Sequence, residues 1–218
     1  MKKETITLSP EWQLAFGTPE VLGTWFVWGQ SGNGKSSFMM QLARELCLAG
    51  ERVIYNSLEE GFSLSFQEQL KRHQMHEVNS QLYLTQEDME ALRRRLRKKR
   101  SPRVVIIDSL QYTGLDFRSY RELVEEFPCH LFIFSCQARG NKPDGRSACR
   151  IMYDAMLKIW VEGYRAFSKG RFLGERGYVD IWSDGAKAYW GGDQLEVKNE
   201  KLSAVVKPAF LISNLPLN

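Results

Sequence analysis

The 218-residue sequence predicts an α/β domain: a central, mostly parallel twisted sheet with helices on both faces and a β-rich C-terminal end. Three observations predict it. Short apolar runs at 24–28, 53–55, 104–107 and 131–134 alternate with segments of helical spacing, the pattern of parallel strands joined by crossover helices. Val104-Val105-Ile106-Ile107 is apolar at every position, as a strand buried on both faces must be. Beyond residue 157 the helical spacing gives way to β-like segments. No repeat, low-complexity tract or linker interrupts the chain, so residues 1–218 read as one domain. Residues 1–20 are expected to form an N-terminal extension and 176–218 a C-terminal β-hairpin and tail.

Taken in order, Pro10 and Pro19 break any regular element in the extension. Thr24 to Trp28 reads as the first strand, followed by a glycine-rich loop and a helix that ends near Ala49, with Gly50 placed to terminate it. Arg52 to Tyr55 is a second strand, closing with Ser57-Leu58-Glu59-Glu60. Phe62 to about Gln74 has helical spacing, and Gln81 to Leu84 is a short strand. Thr85-Gln86-Glu87-Asp88 matches a capping box at the start of another helix, acidic in its first turn and basic in its last. The strand Val104 to Ile107 ends at Asp108. Tyr120, Leu123, Val124 and Phe127 then line one helical face, stopped by Pro128. Leu131 to Phe134 is the next strand, ending at Ser135-Cys136-Gln137, with a polar loop from Arg139 to Gly145 and a short helical stretch behind it. Leu157 to Phe167, Tyr178 to Trp182 and Ala188 to Trp190 read as strands, the last two joined by a hairpin at Asp184-Gly185.

An apolar fraction of 43% with six tryptophans suffices for a real core. No apolar run approaches the ~20 residues of a membrane helix, and Met1-Lys2-Lys3 is followed by polar residues rather than an apolar signal segment. A cytoplasmic location without membrane contact is the expectation. Cys47, Cys129, Cys136 and Cys149 lack metal-binding spacing and read as reduced, packing thiols. The net charge is +4, but the run Arg93 to Arg100 carries +7 alone, leaving +4 − 7 = −3 for the rest. That run is either a solvated helix end or a surface for phosphate or an acidic partner.

Gly29-Gln30-Ser31-Gly32-Asn33-Gly34-Lys35-Ser36 fits G-x-x-x-x-G-K-[ST] at every fixed position, between a strand and a helix. Glycines let the backbone curl so that successive N–H groups point inward around phosphate oxygens, and the helix N-terminus adds partial positive charge. The loop and Ser37 are therefore the expected nucleotide-binding residues. Lys35 would reach the β- and γ-phosphates and Ser36 would offer its hydroxyl to Mg2+. Ligands of open α/β sheets bind at the carboxyl ends of strands, where Glu59, Asp108 and Gln137 stand. Asp108, after four apolar residues, has the pattern of a Walker B acid and would hold the metal through water. Glu59 or Glu60 could orient the attacking water, and Gln137 could sense the γ-phosphate.

These segments resemble the motifs of the RecA-like P-loop ATPases, with the ATPase core of DnaB-type replicative helicases and the RadA repair protein as the nearest likenesses. The resemblance covers about residues 20–175 and implies ATP and Mg2+ as cofactors. It also implies Glu59 as the residue that activates water and Gln137 as the link between nucleotide state and a DNA-contacting loop. Lys169-Gly170-Arg171-Phe172 resembles the K-x-R element of the helicases and the K-N-R-F-G motif of RadA. That implies Lys169 and Arg171 reaching the γ-phosphate of a neighbouring subunit, within a homo-oligomer such as a hexamer that carries its ATP site at the interface. The family's zinc module, protease-like domain and N-terminal helical domain have no counterpart in this sequence.

The family's DNA loops correspond here to Tyr112–Ser119 and Arg139–Arg146. They offer Arg118, Arg139, Lys142 and Arg146 for phosphate contacts, with Tyr112 and Phe117 available for base stacking. The expected function is thus an ATPase coupled to single-stranded DNA, in a helicase-related or recombination-accessory role. The alternatives are a nucleotide-dependent assembly switch that does not act on DNA, and a small-molecule kinase, for which neither an acceptor pocket nor an arginine-rich lid stands out.

Overall fold

The computed structural model describes residues 4–191 and contains sixteen regular elements apart from two short 3-10 turns. In chain order they are α1 (Pro10–Phe16), β1 (Gly23–Gly29), α2 (Lys35–Leu48), β2 (Val53–Ser57), α3 (Leu64–Arg72), β3 (Leu82–Thr85), α4 (Met89–Leu96), β4 (Val104–Asp108), α5 (Phe117–Glu126), β5 (Leu131–Arg139), β6 (Lys142–Pro143), α6 (Arg146–Asp154), β7 (Leu157–Glu162), β8 (Arg165–Ser168), β9 (Tyr178–Asp180) and α7 (Ser183–Trp190). The strands lie in the order β3-β2-β4-β5-β1-β7-β8-β9, with β6 folded back on β5. Every pairing from β3 to β7 is parallel, and β8 and β9 add an antiparallel edge. This is the expected α/β class with its β-rich end.

Side-chain alternation divides the core into two layers. Trp25, Val27, Val53, Tyr55, Val104, Ile106, Leu131 and Ile133 face the side covered by α1, α2 and α3. Their neighbours Phe26, Trp28, Ile54, Val105, Ile107, Phe132 and Phe134 face α4, α5 and α6. Apolar runs without alternation are what such a doubly covered sheet requires.

The prolines expected to break regular structure near the N-terminus do not prevent a helix there. Pro10 opens α1, at the position where a proline's missing N–H is harmless. Trp12 and Phe16 on this helix pack on Phe38 of α2, the Trp12 and Phe38 rings stacked with centroids 5.4 Å apart. Thr85 does not cap α4 but closes β3, its hydroxyl donating to Asn56 Oδ1, and Asp88 caps the helix by accepting from the Ala91 N–H. Leu157 to Phe167 is two strands, β7 and β8, turned at Gly163-Tyr164. The hairpin expected at Asp184-Gly185 is instead α7, whose Ala186 and Trp190 pack on Phe167. Gly185 has no room for a side chain, since a Cβ there would lie 2.2 Å from the Trp182 ring. The tail expected beyond residue 191 lies outside the described residues.

Among the described residues, four of the seven cations in the basic run are ion-paired at the end of α4. Arg93 and Arg97 both bind Glu126 of α5, Arg95 binds Glu87, and Arg94 pairs with Glu90 one turn before it. Cys47, Cys129, Cys136 and Cys149 are free thiols; burial is the main cause raising Cys47 to about 12 and Cys136 to about 11. No helix among the described residues is long and apolar enough to cross a membrane.

Candidate functional site

Parallel pairing brings the carboxyl ends of β1, β2, β4 and β5 to one edge of the sheet. Gly29 is in register with Gln137, and Ser57 with Asp108. The glycine-rich loop, Glu59, Asp108 and Gln137 thus share that edge although they span more than a hundred residues of sequence.

The loop departs from β1 at Gly29, where a Cβ would sit 2.4 Å from the Val161 carbonyl oxygen of β7. Gly34 immediately precedes α2 with φ 93°, a left-handed conformation that excludes most side chains. Helices α3, α4 and α5 begin with the side chains of Ser63, Asp88 and Asp116, which accept N–H groups of their first turns. Helix α2 has no such side-chain cap and no acidic residue in its first turn. Its leading N–H groups are therefore available to an external anion. Lys35 is only 7% exposed yet has no carboxylate partner among the described residues. A buried ammonium without a counter-ion is the complement of a bound phosphate.

Asn33 clips the β7–β8 turn onto the loop: its Oδ1 accepts the Gly163 N–H at 2.8 Å and its carbonyl accepts the Tyr164 N–H at 3.2 Å. Tyr164, at φ 59°, borders the cleft with its ring edge-on to Trp182, centroids 5.1 Å apart.

Beneath the loop, Asp108 is largely buried. One carboxylate oxygen accepts from the Tyr55 hydroxyl at 2.7 Å and the other from the Ser135 hydroxyl. Burial is the main cause raising the Tyr55 pKa well above its ordinary value, and Asp108, Glu60 and Glu59 add to it. Of these carboxylates, Asp108 is the one in direct contact with the hydroxyl. The Asp108 carbonyl accepts the N–H groups of Leu58 at 2.6 Å and Glu59 at 3.1 Å, which fixes where Glu59 leaves the sheet. Glu59 is exposed, and its Oε1 accepts a hydrogen bond from Gln137 Nε2 at 3.3 Å.

A cleft of about 400 Å3 opens between the loop and α3. Of the residues expected to bind nucleotide, Gln30, Ser31, Gly32, Gly34, Lys35, Ser36 and Ser37 line it, as do Glu59 and Gln137. Gly29, Asn33 and Asp108 stand behind that lining. Among the described residues no group of three or more His, Cys, Asp or Glu side chains could hold a metal by itself. A divalent cation would be held here by the Ser36 hydroxyl, by Asp108 through water and by the oxygens of a ligand.

Lys169 and Arg171 do not line this cleft. The Lys169 ammonium lies over the Trp160 ring at 5.0 Å, and burial lowers its pKa, with Glu162 opposing that shift. Arg171 is exposed and lowers the Lys158 pKa, a smaller effect than that residue's own burial. Arg118 belongs to α5 rather than a loop and pairs with Glu122 at 3.0 Å. Arg139 and Lys142 face each other in the β5–β6 hairpin, and Arg146 starts α6. Among the described residues these last three carry no ion pair. The hairpin is fastened to the loop by Gln30 Nε2, which donates to the Gly140 carbonyl at 3.2 Å, and by Trp28 Nε1, which donates to Asn141 at 3.0 Å.

Sequence reasoning missed Tyr55, Tyr164 and Arg72. Tyr55 sits inside an apolar strand where an aromatic residue reads as core, which it also is. Tyr164 falls mid-strand by its sequence pattern, and only the Gly163 before it signals a turn. Arg72 belongs to α3, a helix with no motif.

No protein-family model matches the chain, and no curated protein matches it. Among solved structures it is similar to the flagellar accessory protein FlaH from Methanocaldococcus jannaschii, at 15% identity over 81% of this chain and 91% of that chain, with a TM-score of 0.56. At that identity the likeness shows the fold alone, and the fold is RecA-like.

Proposed function

We propose that the chain is a Mg2+-dependent ATPase. The observation that carries this reading is the meeting of Glu59 and Gln137, from two different strands, across a cleft whose floor is the uncapped start of α2 with Lys35 and Ser36. The cleft volume of about 400 Å3 suits a nucleotide-sized ligand. In this reading the loop N–H groups and Lys35 hold the β- and γ-phosphates, and Tyr164 borders the nucleoside. Mg2+ held by Ser36, and by Asp108 through water, would neutralise charge on the phosphates. The Glu59 carboxylate takes a proton from water as its oxygen bonds to the γ-phosphorus and the bond to the β–γ bridging oxygen breaks, releasing ADP. Gln137 holds Glu59 by its hydrogen bond and would respond to the loss of the γ-phosphate.

The finer setting rests on the resemblance to DnaB-type helicases and RadA. Assembly into a homo-oligomer would bring Lys169 and Arg171 of one subunit toward the next subunit's cleft. Exposed Phe62 and Leu64, beside cleft-lining Glu60 and Ser65, offer apolar surface for such a contact. Arg139, Lys142 and Arg146 are the proposed contacts to single-stranded DNA, with Arg118 at the periphery. The Gln30–Gly140 and Gln137–Glu59 bonds provide a route from phosphate to hairpin. A cytoplasmic setting agrees with this chemistry. The second reading, an assembly switch that does not touch DNA, is favoured by the pairing of Arg93, Arg94, Arg95 and Arg97 with carboxylates, which leaves less of the basic run free for phosphate.

Steady-state ATPase turnover against protein concentration, with and without single-stranded DNA, tests this. Specific activity that rises with concentration and with DNA supports the first reading; ATP-dependent assembly indifferent to DNA supports the second. An absence of phosphate release at any concentration contradicts the ATPase assignment.

A further inference from the structure

Helix α3 is the wall of the cleft opposite the glycine-rich loop, and its polar side faces inward. Ser65, Glu68, Gln69 and Arg72 all line the cleft, at positions i, i+3, i+4 and i+7, one stripe of the helix. Phe66, between them, is buried against Tyr55. Arg72 brings a second cation to the cleft that Lys35 also lines.

The Arg72 side chain forms no ion pair or hydrogen bond among the described residues. That is notable because Glu68 stands one turn earlier, in the favoured order for an i,i+4 pair, and Glu59 and Glu60 line the same cleft. Elsewhere in the chain arginines near carboxylates take them up, as Arg44, Arg95, Arg103 and Arg165 do. Glu60 is engaged by Ser65 and Glu59 by Gln137 instead. The Gln69 side-chain oxygen is buried and unpartnered as well.

We propose that Arg72 binds the terminal phosphate of a nucleoside triphosphate from within the same chain, making α3 a wall that distinguishes triphosphate from diphosphate. This rests on the nucleotide reading of the cleft. It differs from the trans role of Arg171, because it requires no neighbour. A guanidinium matches phosphate oxygens in pairs, which a lysine ammonium does not. Gln69, one turn before Arg72, would direct its amide N–H groups to the same phosphate and leave its buried oxygen toward the helix.

The test is titration calorimetry with Mg2+ and either ADP or a β,γ-imido ATP analogue, on the wild-type chain, Arg72→Ala, Arg72→Lys and Lys35→Ala. Arg72→Ala should weaken the triphosphate analogue about 10-fold or more, the loss of a charge-assisted pair, and leave ADP within about two-fold. Arg72→Lys should fall between. Equal affinities of wild type and Arg72→Ala for the analogue, or equal loss for both nucleotides, would overturn the proposal while the nucleotide reading stood. That reading itself fails on a different result: no uptake of either ligand by wild type, or uptake unchanged in Lys35→Ala. Arg72 is exposed at a helix end, so its alanine variant should melt within a degree or two of wild type, and a larger fall would shift the comparison to Arg72→Lys alone.

Discussion

Asp108 is a carboxylate whose two oxygens are already spoken for by the hydroxyls of Tyr55 and Ser135. Replacing Tyr55 by Phe keeps the ring in the core but leaves one buried oxygen without its donor. Denaturant unfolding should show Tyr55→Phe less stable by about 1–3 kcal/mol. Tyr55 also sets a pH dependence. Burial raises its pKa and that of Tyr120, so the folded chain keeps protons that the unfolded chain releases above pH ~10. Their contribution is complete below that pH and declines above it, by about 1.4 kcal/mol per pH unit for each tyrosine. Cys47 and Cys136, raised to about 12 and about 11, begin the same decline above their ordinary value of 9.0. Unfolding midpoints should therefore be flat near neutrality and fall from about pH 9, less steeply above pH 10 in Tyr55→Phe. A midpoint that rose with pH would contradict these burials. At the cleft, Glu59→Gln should retain nucleotide and lose at least about 100-fold in turnover. Retained turnover would move the proton acceptor to Glu60 or elsewhere.

At the scale of elements, legibility in the sequence followed how local the determining signal was. The loop from Gly29 to Ser36 and the strand ending at Asp108 were readable because each states its pattern within eight residues. Helix α1 was misread because two prolines suggested interruption, whereas Pro10 starts the helix and the helix earns its place through Trp12 on Phe38, a contact between distant segments. Trp12→Ala should destabilise the chain by about 3–5 kcal/mol in chemical denaturation, the range for emptying a buried aromatic site. A change within about 0.5 kcal/mol would return residues 4–16 to the status of a tail. Helix α7 was misread because Asp-Gly is a hairpin signal, overridden here by the packing of Trp190 and Ala186 on Phe167. The clip between Asn33 and the β7–β8 turn was invisible for the same reason, since it joins residues 130 apart. Asn33→Ala should speed hydrogen exchange at Gly163, whose N–H loses its acceptor, and leave the central strands protected.

For the whole molecule, Lys169 and Arg171 do not line the cleft of their own chain, so the proposed action on phosphate requires an assembly. Mixing Lys35→Ala with Arg171→Ala subunits should recover part of the turnover that each lacks, because some interfaces then combine an intact loop with an intact arginine. A mixture as inactive as either parent, with assembly verified by light scattering, would remove the trans role. The edge of the sheet where four strands end is the feature on which the functional account depends. The direct measurement is calorimetric titration of the chain with ATP in the presence of Mg2+. The account predicts one nucleotide bound per chain and loss of that binding in Lys35→Ala; no heat of binding in the wild-type chain, or the same binding in the variant, would contradict it.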